Sequence, residues 1–184
     1  MRLPVALLLL LGLPATPAMA DGFNVTGPDI HNGATIPMVH VFGRCGGGNQ
    51  SPALSWSGAP RGTASYAVTM FDPDAPSGHG WWHWILVNIP TSVTSLPENA
   101  GAAGSRALPA GALQGRNDFG FSNYDGPCPP TGAAPHRYVI TVYAVNVSRL
   151  DIGPQASGAT VEAALHRTTL ATAALVGRWG REKQ

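Results

Sequence analysis

Tyr66-Ala67-Val68-Thr69-Met70-Phe71 runs straight into Asp72-Pro73-Asp74-Ala75-Pro76, and Trp81-Trp82-His83-Trp84 follows, leading into Ile85-Leu86-Val87-Asn88-Ile89-Pro90. The two apolar runs read as strands, and the prolines and glycines between them read as a turn. Asp72 ends the first strand and His83 opens the second. If the strands are neighbours in one sheet, the two side chains converge at its end. Charged residues make up only 11% of the chain, so two carboxylates and a histidine among three tryptophans stand out.

Outward from this stretch, 23 glycines and 17 prolines punctuate short apolar runs, the pattern of a mainly β fold. Candidate strands are Phe23–Gly27, Met38–Phe42, Ala53–Trp56, Ser65–Asp72, Trp82–Ile89 and Arg137–Asn146. The last carries Tyr138, Ile140, Val142 and Ala144 on one face and Val139, Thr141, Tyr143 and Val145 on the other. Two largely apolar faces predict a central strand covered on both sides. One helix is predicted from Ala159 to Leu170, capped by Ser157, with Val161, Ala164, Leu165 and Thr168 on its buried face. Beyond it, Leu175–Trp179 reads as a last strand, because Gly177 disfavours a longer helix. The connections Thr91–Ser105 and Pro109–Pro135 have a length expected of binding loops.

At 184 residues one domain is expected. Arg2, the apolar run Val5–Leu13 and Ala18-Met19-Ala20 form the pattern of a signal peptide over residues 1–20. Cleavage before Asp21 would leave residues 21–184 as a single domain, exported to the periplasm or secreted. The apolar run falls short of the ~20 residues a span needs, and Pro14 and Pro17 interrupt it, so no stable membrane anchor is expected. Without Arg2 the chain carries ten basic and ten acidic side chains, which argues against a nucleic-acid partner held by a basic face. Cys45 and Cys128 form an even count, which in an exported protein points to one disulfide. Two separate buried thiols are the alternative. A bridge closing so long a loop would contribute about 4 kcal/mol in the chain-entropy model.

A second informative stretch is Tyr124-Asp125-Gly126-Pro127-Cys128-Pro129-Pro130-Thr131-Gly132, leading to His136-Arg137-Tyr138. Its prolines fix their own φ and restrict their predecessors, so the loop is stiff. Together with Ser51-Pro52-Ala53-Leu54-Ser55-Trp56 and Gly115-Arg116-Asn117-Asp118-Phe119-Gly120, these motifs resemble the phosphatidylethanolamine-binding protein (PEBP) family. Within it the chain is similar to the bacterial Raf-kinase-inhibitor-like branch of YbhB/YbcL type, in its exported form. The resemblance implies a sandwich of a large central β-sheet and a smaller sheet, with one or two peripheral helices near the C-terminus. It also implies a small anion-binding pocket lined by Asp72, Asp74, Trp81, His83, Gly126, Pro130, His136 and Tyr138. The ligand implied is phosphate or a phosphorylated headgroup such as phosphoethanolamine, with a protein partner possible. Eukaryotic members add a C-terminal segment to the rim. Here Arg181-Glu182-Lys183-Gln184 follows soon after Trp179, which predicts a more open rim.

The chemistry of such a site follows from its residue types. A phosphate oxygen needs donors, which imidazolium N–H groups of His83 and His136 and the Tyr138 phenol supply. An aspartate accepting from one imidazole nitrogen fixes the tautomer and favours the protonated ring. Asp72 is assigned that part, and Asp74 the organisation of the turn. Anion binding is then expected to weaken as pH rises through the histidine range. Trp81, Trp82 and Trp84 are expected to divide between core and pocket wall.

Other readings are weaker. No G-x-S-x-G or S-x-x-K motif marks a nucleophile, and no H-x-x-x-H or C-x-x-C spacing marks a metal site. His31, His40, His79 and His166 carry no assigned role. No cofactor is expected. The chain is read as a non-enzymatic binding protein. The alternatives are an interaction module that inhibits a kinase or protease through the same pocket, and a hydrolase or isomerase using His83 and His136 as acid and base.

Overall fold

The structure is a computed structural model that describes residues 22–183; the signal peptide expected at residues 1–20 lies outside them. The core strand pair is the one that carries Asp72 and His83. β3 (Ser65–Asp72) and β4 (Trp81–Pro90) are antiparallel neighbours in a five-stranded sheet. β6 (Leu113–Gln114) flanks β4, while β7 (His136–Val145) and β8 (Thr169–Trp179) continue beyond β3, giving the order β6-β4-β3-β7-β8. A smaller three-stranded sheet has the order β1-β2-β5, from β1 (Asn24–Thr26), β2 (Leu54–Ser57) and β5 (Ser95–Leu96). Every pairing between these strands is antiparallel. The helix α1 (Gly158–Thr168) leads directly into β8. The mainly β, two-sheet architecture expected from the sequence is therefore present.

One core fills the space between the sheets, where Trp56 and Leu54 of the small sheet meet Val68, Met70, Trp84, Ile140 and Val142 of the large one. A second, smaller core lies on the outer face, where Ala67, Ile85 and Val87 pack under Val161 and Leu165 of α1. β3 and β4 are buried on both faces for this reason. The doubly covered strand expected at Arg137–Asn146 is thus displaced by one position. In β7 the Tyr138, Ile140, Val142 and Ala144 face is buried, while Val139, Thr141 and Tyr143 are half-covered.

Three local expectations change. Met38–Phe42 is not a strand: Met38–His40 forms a 3-10 turn. His40 N–H donates to the Pro37 carbonyl at 3.0 Å and Val41 N–H to the Met38 carbonyl at 3.2 Å, the three-residue spacing of such a turn. The chain folds back on them through Gly47, where a Cβ would overlap the carbonyl of Val41. The helix stops at Thr168, two residues early. The Thr168 hydroxyl donates to the Ala164 carbonyl, and Thr169 is already extended. β8 consequently begins six residues before the expected Leu175. The Ser157 cap is present, its Oγ accepting from the Thr160 N–H. Among the described residues no helix is long and apolar enough to cross a membrane.

Candidate functional site

The antiparallel pairing brings the end of β3, the start of β4 and the start of β7 to one end of the large sheet. Asp72 and His136, 64 residues apart in the chain, meet there: His136 Nδ1–H donates to Asp72 Oδ2 at 2.8 Å. The other oxygen, Oδ1, accepts the Asp74 backbone N–H at 2.8 Å. Asp72 is therefore the aspartate that steadies an imidazole, as expected, and the ring it steadies is that of His136.

His83 is oriented by a different group. Its Nδ1 lies 2.7 Å from the backbone carbonyl of Asp125. A carbonyl only accepts, so Nδ1 carries the proton. The carbonyl is itself fixed, because the Asp125 carboxylate accepts from Asn49 at 3.0 Å and from Asn117 at 2.8 Å. His83 owes its position to a β-bulge. Met70 pairs with Trp84 and Phe71 with Trp82, which leaves His83 as the extra residue. The bulge also sends Trp82 and Trp84 to opposite faces of the sheet. Trp84 enters the inter-sheet core and donates to Gln114 at 2.9 Å, whereas Trp82 packs on the outer core beside α1.

With both Nδ1 atoms engaged, the two Nε2 atoms are what His83 and His136 offer to a cavity of about 310 Å³ that both rings line. Asp72, Trp81 and Pro130 line it as expected, joined by Pro76, Phe119, Cys128, Pro129 and Arg181. Phe119 meets the rings of Trp81 and His83 edge-on, at 5.4 and 5.5 Å between centroids. Three of the residues expected in the pocket lie outside this lining. Asp74 turns outward into a two-pronged pair with Arg137, at 2.9 Å to Nε and 2.7 Å to Nη2. Gly126 lets the loop cross the His40–Phe42 backbone, where a Cβ would overlap the His40 carbonyl oxygen. Tyr138 lies beneath His83, the ring centroids 5.2 Å apart.

The charges lining the cavity are few. Arg137 holds the Asp74 carboxyl down at about 2, and that charge is neutralised outside the cavity. Among the lining residues Asp72 is the one carboxylate, with both oxygens already occupied, and Arg181 supplies a guanidinium. Burial pushes the His83 pKa below its ordinary 6.5, so at neutral pH this ring is uncharged and its Nε2 presents a lone pair. That differs from the sequence expectation of an imidazolium. The indole N–H of Trp81 and the hydroxyl of Tyr138 are buried without hydrogen-bond partners among the described residues. Burial, then the Asp72 charge, holds the Tyr138 phenol protonated far above its usual range. The Trp81 donor, on the cavity wall, is the complement of an acceptor-rich guest.

The proline loop is clamped as the sequence implied. Cys45 and Cys128 form a disulfide, Phe42 N–H donates to the Pro127 carbonyl at 3.1 Å, and Gly126 N–H to Asn49 Oδ1 at 2.9 Å. Sequence reasoning missed Arg181, Phe119 and the Asp125 carbonyl. Arg181 reaches the rim because its backbone pairs with Thr131 and accepts from Gly132 N–H at 2.8 Å. The rim expected to be open is thus partly closed by this segment.

Fold and site define a β-sandwich binding protein with a preformed cavity at one sheet end. The chain matches the family model described as phosphatidylethanolamine-binding protein over residues 26–180, and it belongs to that family. It is 49% identical over 158 residues to the UPF0098 protein YbcL of Escherichia coli (strain K12), covering 85% of this chain and 86% of the relative. The UPF0098 protein YbhB of the same organism is 46% identical over 149 residues, covering 80% and 93%. The crystal structure of Escherichia coli YbcL, described as a new member of the mammalian PEBP family, aligns with a TM-score of 0.85 at 46% identity, over 87% of this chain and 99% of that one.

Proposed function

We propose that this chain is an exported, non-enzymatic receptor for a small phosphate-like anion, free or as the headgroup of a larger molecule. The observation that carries the reading is the convergence of two buried imidazoles on one cavity, each with its Nδ1 already committed. An oxyanion entering there meets two Nε2 atoms, the Arg181 guanidinium and the unpaired Trp81 N–H. His83 binds it either by taking up a proton or by accepting from a P–OH group. The apolar remainder, Pro76, Phe119, Pro129 and Pro130, suits an organic substituent on the phosphate. Because the lining loop is clamped by a disulfide and by Asn49, little ordering is left to do on binding. The disulfide and the basic-apolar-small pattern of residues 1–20 support export to the periplasm.

Calorimetric titration with inorganic phosphate and with phosphoethanolamine tests this. The native chain is expected to bind at one site. His136→Ala, which removes one of the two ring nitrogens offered to the cavity, is expected to lower affinity by about tenfold or more. Equal affinity in the variant, or no binding by the native chain, would reject the reading.

A further inference from the structure

His40 is not among the residues lining the anion cavity and is fully buried, at 0% exposure. Its Nδ1 is 2.8 Å from the carbonyl oxygen of Gln50, so Nδ1 carries the proton and Nε2 presents a lone pair. That Nε2 is buried and has no hydrogen-bond partner among the described residues. It points at two acidic side chains, which offer no proton to it. Asp29 Oδ2 stands 3.8 Å away, beyond hydrogen-bond reach, and a Glu98 carboxylate oxygen completes the group. All three atoms lie within 4.8 Å of one another.

A buried acceptor facing two acceptors is unfavourable unless something positive sits between them. We infer that His40, Asp29 and Glu98 form a binding site for a divalent first-row transition cation, of which zinc is the probe of choice. The donor set suits such an ion: one neutral imidazole nitrogen, and two carboxylates whose charges cancel that of the metal. The imidazole disfavours calcium and magnesium, which prefer all-oxygen sites. Bonds of about 2.0–2.2 Å place tetrahedral ligand atoms roughly 3.3 Å apart. The His40–Asp29 pair at 3.8 Å needs little closure, and no pair of the three starts beyond 4.8 Å. The buried ring stays in place, and the two exposed carboxylates move. Three protein ligands leave a fourth position for water. The Gln50 carbonyl on Nδ1–H is the outer partner that metal-bound histidines need to hold their tautomer.

The three donors come from three separate connections. Asp29 lies between β1 and the 3-10 turn, His40 in that turn, and Glu98 just after β5. A bound ion would therefore tie the small sheet's loops together as a structural clamp. None of the three residues lines the anion cavity, so metal binding and anion binding can be scored apart. The competing arrangement is a protonated His40 paired with Asp29, which requires no metal.

The test uses the untagged chain, stripped with chelator. Zinc is added in calorimetry and in thermal melts, with the double variant Asp29→Asn, Glu98→Gln as the comparison. Both substitutions are at exposed positions, and the variant's melt without metal checks its fold. The native chain is expected to take up one zinc in the micromolar range, with a rise in melting temperature. Loss of an outer partner alone costs about 10–100-fold in affinity, so loss of two direct ligands is expected to cost more than about 100-fold. The His40 Nε2 resonance is expected to shift on zinc addition in the native chain and not in the variant. Phosphate titration is expected to be the same in both. No saturable zinc binding, equal binding by the variant, or an unmoved His40 resonance would overturn the inference. A native chain that ignores zinc but is destabilised by Asp29→Asn would assign the ion pair in its place.

Discussion

Two histidines in one cavity are held in different ways, and the difference is measurable. His136 is backed by a carboxylate and His83 by a backbone carbonyl. Burial lowers the His83 pKa below 6.5, so this ring stays neutral in the folded chain at a pH where the unfolded chain has begun to protonate. The unfolded state then binds more protons, and stability falls as pH falls. The contribution is complete above about pH 6.5 and is lost progressively below it, toward the lowered folded value. An anion in the cavity works in the opposite direction, because it favours the charged ring. Sulfate keeps its charge through this range and so isolates the protein's own titration. Its affinity is expected to rise from about pH 8 to about pH 5, with part of the rise below the ordinary imidazole value. His83→Gln is expected to remove that lower part. A flat native profile, measured by calorimetry, would contradict the assignment.

At the scale of elements, the site depends on a bulge in β4 and a clamped loop. The loop from Tyr124 to Pro130 crosses the 3-10 turn so closely that Gly126 has no room for a side chain. Gly126→Ala is expected to cost at least about 2 kcal/mol of stability by overpacking, and to weaken anion binding by lifting the Asp125 carbonyl off His83. Denaturant melts and phosphate titration check both parts. Reduction of the Cys45–Cys128 bond is expected to lower stability by up to about 4 kcal/mol; an unchanged midpoint would show that the hydrogen bonds to Asn49 and Phe42 hold the loop without it. β3 was legible in the sequence to the residue, because apolar runs and turn residues bound it. The bulge at His83 was not, since nothing in Trp81-Trp82-His83-Trp84 marks which residue is the extra one. The same bulge decides which tryptophan is core. The 3-10 turn at Met38–His40 was hidden because Met38, Val39, Val41 and Phe42 are as apolar as a strand, and only Gly47 and Gly48 allow the fold-back.

On the scale of the whole molecule, the two-sheet sandwich has one task for the site: to fix the ends of β3, β4 and β7 side by side. Asp72, His83 and His136 were recoverable from the sequence because their motifs carry them. The outward turn of Asp74 depends on Arg137, and the arrival of Arg181 depends on strand-like pairing of the segment after β8 with Thr131, so neither could be read from spacing. Whether both imidazoles hold one anion is tested by a crystal structure of the native chain soaked with phosphoethanolamine in mildly acidic buffer. A phosphate group is expected in the cavity between Pro76 and Pro130, with oxygens within hydrogen-bond distance of the Nε2 atoms of both His83 and His136. Phosphate density at any other place on the molecule, or a group touching neither ring, would contradict it.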